Sequence, residues 1–214
     1  MGGSHIIRDK NRFLTALGSG HTVDKGTQYC LVAGRHMMVS EKVSHGVTLG
    51  GADGVLNNHG AIVHATVDPS SPGCGRTQHY SILMSAQLDD GGVALLRNTV
   101  CNDVVIAHRI YLPIPGVVAT VTAEVIISGV GTGKQSSGKA EGLVLSDASG
   151  SVTWLKPMDI SWNHDTFAAP LTLQGSCDST LAMGAFFTLR VTNPQGNGHA
   201  RILARVNILS LAEQ

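Results

Sequence analysis

Val117-Val-Ala-Thr-Val-Thr-Ala-Glu-Val-Ile-Ile127 is the stretch on which the fold is read. Val117, Ala119, Val121, Ala123, Val125 and Ile127 alternate with Val118, Thr120, Thr122, Glu124 and Ile126. Successive side chains of a strand point to opposite faces, so an apolar odd set beside a largely polar even set spells a long, half-buried strand. The same period recurs at Ala185, Phe187, Leu189 and Val191, and again at Ala200, Ile202, Ala204, Val206 and Ile208. Turn formers fill Asn193-Pro-Gln-Gly-Asn-Gly198 between them, so 184–209 is expected as one hairpin.

Weaker period-two runs lie at 28–33, 36–43, 61–67, 79–87, 93–96, 103–112, 141–146, 151–156 and 171–174. Gly-, Pro-, Asp- and Ser-rich punctuation separates them, as in Asp68-Pro-Ser-Ser-Pro-Gly73 and Ser146-Asp-Ala-Ser-Gly150. No stretch after residue 27 keeps a helical period, and no internal repeat is read. Short strands at this spacing predict an all-β chain, an antiparallel β-sandwich of jelly-roll type with about 8–10 strands. Residues 1–26 are polar and Gly-punctuated and are expected to form an N-terminal arm, leaving 27–214 as a single sandwich domain. Within the arm Phe13-Leu-Thr-Ala-Leu17 is apolar, and Phe13, Leu14 and Leu17 are the candidate assembly contacts.

Composition narrows the function classes. Charged residues make up 14 % of the 214 and the formal net charge is zero, which removes the electrostatic footprint of a nucleic-acid binder. The arm sets Arg8, Lys10, Arg12 and Lys25 against Asp9 and Asp24, too thin an excess to condense a genome. No apolar run reaches membrane-spanning length, and the N-terminus lacks the apolar core of a secretory signal. Cys30, Cys74, Cys101 and Cys177 show no paired spacing, so zinc-ribbon and thioredoxin-like motifs are excluded. Buried free thiols are the expectation, with a disulfide left open and Cys74, in Pro72-Gly-Cys-Gly75, the one expected at the surface.

Four motifs invite chemistry. Gly129-Val-Gly-Thr-Gly-Lys-Gln-Ser136 approaches a phosphate-binding loop, but Ser128 stands for the first Gly and Gln135 for the metal-binding hydroxyl. It is read as a hairpin loop. His64-Ala-Thr-Val67 and His79-Tyr-Ser-Ile82 repeat the tetrad of two-histidine phosphoesterases, yet both fit ordinary strand alternation. Trp162-Asn-His-Asp165 puts an acid beside a His, where strand neighbours face opposite ways. Arg190, Arg201 and Arg205 on the expected C-terminal hairpin form a candidate face for an anionic partner, although solubilising arginines are the plainer use. No catalytic, cofactor-binding or metal-ligating residues are assigned, and the chain is expected not to be an enzyme.

A short polar arm, antiparallel strands, long Gly/Ser/Pro loops and few charges resemble the jelly-roll coat and decoration proteins of virus particles. That resemblance implies a virion location and partners that are copies of the chain and other shell proteins, with nucleic-acid contact weak or absent, no membrane and no small-molecule substrate. A carbohydrate-binding or adhesion sandwich is the alternative, with a cupin-like or other sandwich enzyme behind it. Metal analysis separates the last of these. No cofactor is expected, and mass spectrometry should find no stoichiometric, tightly bound transition metal, because no ligand spacing is present. One metal per chain, lost on replacing His64 and His79, would overturn that expectation.

Overall fold

The computed structural model describes residues 4–51, 54–66, 77–113, 116–177 and 185–212, with only the backbone of His164, Asp165 and Ala212. The first part is a β-solenoid of four rungs, each with one short and one longer strand. The short strands β1 (Ile6–Ile7), β3 (Thr22–Val23), β5 (Met38–Val39) and β7 (Val55–Leu56) stack in parallel. So do the longer strands β2 (Arg12–Ser19), β4 (Gln28–Arg35), β6 (Val47–Gly50) and β8 (Ile62–Thr66). Ile6 lies on Thr22 and Thr22 on Met38, 16 residues at each step. The expected jelly-roll is therefore wrong, and so is the statement that no repeat exists. The stretch expected as an arm, from residue 4 onward, holds the first rung and the start of the second.

Rung geometry explains the local sequence. The backbone turns left-handed at equivalent places, at Phe13, Tyr29 and His45 with φ of 52°, 53° and 58°, and at Lys10, Gly26 and Lys42 with 66°, 76° and 61°. The rings of the first set stack, 4.8 Å between Phe13 and Tyr29 and 4.9 Å between Tyr29 and His45. Gly18, Gly34 and Gly50 have φ of 111°, 136° and 144°, where side chains are strained. Each also lies against the carbonyl of the residue one rung on, so a Cβ on Gly34 would run into Gly50 O. Charges alternate along the stack: Arg8 Nε is 2.8 Å from Asp24, and Lys25 Nζ is 3.6 Å from Glu41. Buried His21 ties three rungs, its Nε2 donating to Leu17 O (2.8 Å) and its Nδ1 accepting from Met37 N (3.2 Å).

After β8 the sheet continues in antiparallel fashion. Strand β9 (Thr77–Leu88) pairs with β8. The chain then runs through β10 (Val93–Leu95), β11 (Arg97–Asn98), β12 (Ile110–Tyr111), β13 (Val117–Gly129), β14 (Gln135–Ser146), β15 (Val152–Asp165), β16 (Thr172–Cys177), β17 (Phe186–Thr192) and β18 (Ala200–Ala212). The large sheet has the order β15-β14-β13-β18-β9-β8-β6-β4-β2, with β11 beside β9. A small sheet, β10-β17-β12 with β16 on β17, packs on its inner face. The core lies between them, with Val121, Val125, Ile127, Val206 and Ile208 facing Phe187, Leu189 and Val191. The odd set of 117–127 is buried throughout, as the alternation requires.

The expected hairpin at 184–209 is also corrected. β17 pairs in the small sheet and β18 in the large one, so the intervening segment crosses between layers. Buried asparagines hold that crossing. Asn193 Nδ2 donates to Asp89 O (2.9 Å) and Gly198 O (2.8 Å), and Asn197 Nδ2 to Ala169 O (2.8 Å) and Asn193 Oδ1 (3.1 Å). The strand expected over 103–112 shrinks to Ile110–Tyr111, because Asp103 O takes the Ala107 N–H in a turn.

Gly34→Ala should lower unfolding free energy by about 2 kcal/mol or more, given the strained φ and the blocked Cβ. Gly51→Ala, where a Cβ meets nothing within 4 Å, should stay within about 0.5 kcal/mol. Urea unfolding checks both, and equal stability of the two variants would end this account of rung stacking.

Candidate functional site

The two ends of the solenoid differ. At the last rung, Gln78 of β9 pairs its amide with the backbone of β7, Val55 N donating to Oε1 (2.8 Å) and Nε2 donating to Val55 O (2.7 Å). Asn57 Nδ2 reaches Leu112 O (2.7 Å), and Asn58 exchanges hydrogen bonds with Tyr111 O and N, both 2.9 Å. Buried Tyr80 donates its hydroxyl to the same Tyr111 O (2.7 Å), and burial pushes its phenol well above the usual range. Together these side chains give partners to backbone groups of Val55, Tyr111 and Leu112.

The first rung has no such cover among the described residues. β1 and β2 are the outermost strands of their sheets. Phe13 is 71 % exposed, Ile6 59 % and Leu17 57 %. Of the three candidate assembly contacts, Phe13 and Leu17 thus face outward, whereas Leu14 turns in and packs on the core. Ile6 completes the outward set and was missed, because a two-residue strand shows no alternation.

A second exposed surface is the outer face of the large sheet. Register sets Leu145, Val118 and Leu211 in one row and Leu143, Thr120 and Leu209 in the next. Leu209 and Leu211 are 54 % and 55 % exposed. His79 lies beside Leu209, and His64 beside His79, so the two tetrads do meet as a cross-strand pair. They sit on an open face with no enclosing wall, and among the described residues no group of three or more His, Cys, Asp or Glu side chains is placed to hold a metal ion. A charged row follows, in which Arg205 Nη1 lies 3.4 Å from Glu124 and Lys139 pairs with Glu124 in register.

The candidate arginines divide. Arg201 and Arg205 project from this outer face, while Arg190 belongs to β17 in the small sheet. Lys134 of the glycine-rich loop is occupied, its Nζ 3.4 Å from Gly196 O and 3.3 Å from Asn197 O, in a tight turn with no helix after it. Trp162 packs over Gly138, and the side chains of His164 and Asp165 lie outside the described residues, as does Cys74. Cys30, Cys101 and Cys177 are free thiols, the first buried and the others half-buried. Among the described residues no helix is long and apolar enough to cross a membrane.

No family model matches the chain, and no curated protein does. Two of the solved structures that share some of its path are tailspike proteins. One is the tailspike protein gp49 of Acinetobacter baumannii bacteriophage Fri1, a capsular polysaccharide depolymerase, at 10 % identity and TM-score 0.31 over 92 % of this chain. The other is the tailspike protein of Acinetobacter baumannii phage AM24, at 8 % identity and TM-score 0.34 over 97 % of this chain. The chain spans 33 % of the first and 56 % of the second. Likeness this weak carries no argument about function. The expectation that the chain is not an enzyme draws no support from it either.

The thiols give a direct check of the site environments. Burial pushes Cys177 up to about 11, so only about a thousandth is thiolate at pH 8. Peptide-resolved alkylation at pH 8 should find Cys177 at least about tenfold slower than an unperturbed thiol, with the rate still climbing above pH 10. A rate equal to that of a free thiol would contradict the burial.

Proposed function

We propose that this chain is a structural element of a virus or phage particle that works through protein–protein contacts, with its solenoid acting as a rod segment joined at the first rung to a second copy. The difference between the two solenoid ends carries this reading. A sheet edge with unpaired N–H and C=O groups is a template for another strand, and natural proteins cover or charge such edges. Here the last rung is covered by the Gln78 amide and by β9, while the first presents Ile6, Phe13 and Leu17. Two first rungs meeting across a two-fold axis would pair antiparallel and bring the same apolar set together. Burying a Phe or Leu contributes roughly 1.5–3 kcal/mol each, and the contacting strand is already ordered in its rung. Low charge density and zero net charge also suit a lasting assembly.

The particle setting agrees with the source of the two similar tailspike structures, but no weight rests on them. A capsid-shell role drew on the jelly-roll and is not retained. The adhesion alternative gains no favour from the aromatic ladder, because Phe13, Tyr29 and His45 turn their ring faces to one another and not to a sugar.

Replacing Phe13 and Leu17 together by Glu should leave the circular dichroism spectrum unchanged and reduce the native mass measured by light scattering. A variant that assembles like the wild type, or a wild type that stays monomeric at tens of micromolar, sinks the reading.

A further inference from the structure

Where the chain leaves the large sheet at the end of β9 and enters the small sheet as β10, the two strands part and leave a cleft of about 470 Å³. Gln87, Arg97 and His108 line it over a floor of Ala86, Ala94 and Leu95. None of the three polar side chains has a hydrogen bond or ion pair to another described residue. The two acidic residues that follow β9 are engaged elsewhere. Asp89 lies 3.2 Å from His199, and Asp90 accepts the Gly198 N–H at 2.9 Å. Two of the candidate arginines lie on the neighbouring strands. Arg201 pairs in register with Gln87, and Arg190 pairs with Leu95. Neither lines the cleft: Arg201 projects from the outer face of the large sheet and Arg190 from the exposed side of the small one.

We infer that this cleft binds a singly charged oxyanion group, a carboxylate or a sulfate ester, carried by a compact organic ligand. Arg97 offers a planar fork of N–H donors that matches such a group with two parallel bonds. The Gln87 amide supplies a further donor, and the aliphatic floor covers the ligand's uncharged part. Burial, then the positive charges of Arg109 and Arg97, hold the His108 imidazolium below its ordinary range. At neutral pH His108 is therefore uncharged, and Arg97 is the one charged group that lines the cleft among the described residues. That single charge selects one negative charge on the ligand over the two of a phosphate monoester. Arg109 lies outside the lining, its guanidinium over the Phe186 ring at 4.9 Å.

The test uses the full chain at constant ionic strength set with chloride, titrated separately with acetate, methyl sulfate and inorganic phosphate. The His108 ring signals and the Arg97 Nε signal are followed by NMR. Acetate or methyl sulfate should give a saturable shift at both residues and raise the His108 pKa, because the bound anion offsets the Arg97 charge. Arg97→Ala should weaken that binding about tenfold or more, as loss of a charged hydrogen-bonding partner does. Arg97→Lys, which keeps the charge and loses the fork, should fall between. Arg205→Ala, on the outer face of the large sheet, should leave it unchanged. The tighter of the two monoanions identifies the group. Shifts that stay linear with concentration, or that survive Arg97→Ala, overturn the site. Tighter binding of phosphate than of both monoanions overturns the singly charged assignment.

Discussion

Backbone hydrogen bonding from rung to rung is the constraint on which this molecule depends. A solenoid strand has its partners one rung above and one rung below, so no rung is complete alone. Close approach of successive rungs demands Gly at 18, 34 and 50, where a side chain would strike the carbonyl of the next rung. It also fixes which side chains stack, hence the ladder of Phe13, Tyr29 and His45 and the pairs Arg8–Asp24 and Lys25–Glu41. Surface ion pairs of this kind contribute little each. Their value lies in avoiding like charges in stacked positions. At the end of the stack the same demand is met by Gln78, whose amide takes the place of one more strand on β7, and by β9 pairing with β8.

How much of this could be read in advance depends on what alternation encodes. Period two reports that a strand has a wet and a dry face, and 117–127 therefore emerged as β13 with its odd residues buried. It does not report whether the neighbour runs parallel or antiparallel, which is why a solenoid and a sandwich looked alike. The repeat escaped because equivalent positions share backbone conformation more than chemistry: Lys10, Gly26 and Lys42 do one job, as do Phe13, Tyr29 and His45. Gly18, Gly34 and Gly50, equally spaced, were the signal that could have exposed it. The hairpin at 184–209 failed for another reason. Turn formers mark where the chain bends, but Asn193 and Asn197 are buried in a crossing between layers.

Functional residues followed the same divide. Phe13 and Leu17 were recognisable because they are apolar in a polar neighbourhood, and Leu14 was swept in with them although it faces the core. Gln87, Arg97 and His108 come from a strand, the next sheet's approach and a loop, so no spacing in the chain announces them. Arg190 and Arg201 were noticed for a shared face that does not exist, since they belong to different sheets.

The place of β18 in the large sheet has a consequence for biosynthesis. It is the last described strand to leave the ribosome, yet it lies between β13 and β9 in the middle of the sheet. Thr77 of β9 waits for Leu211 as its partner. Until β18 arrives, β9 with the solenoid behind it and the β13 to β15 meander are separate halves, each with a bare apolar edge. Nascent chains crowded on one message are therefore open to exchanging strands until β18 has emerged. Insertion of β18 closes both edges at once.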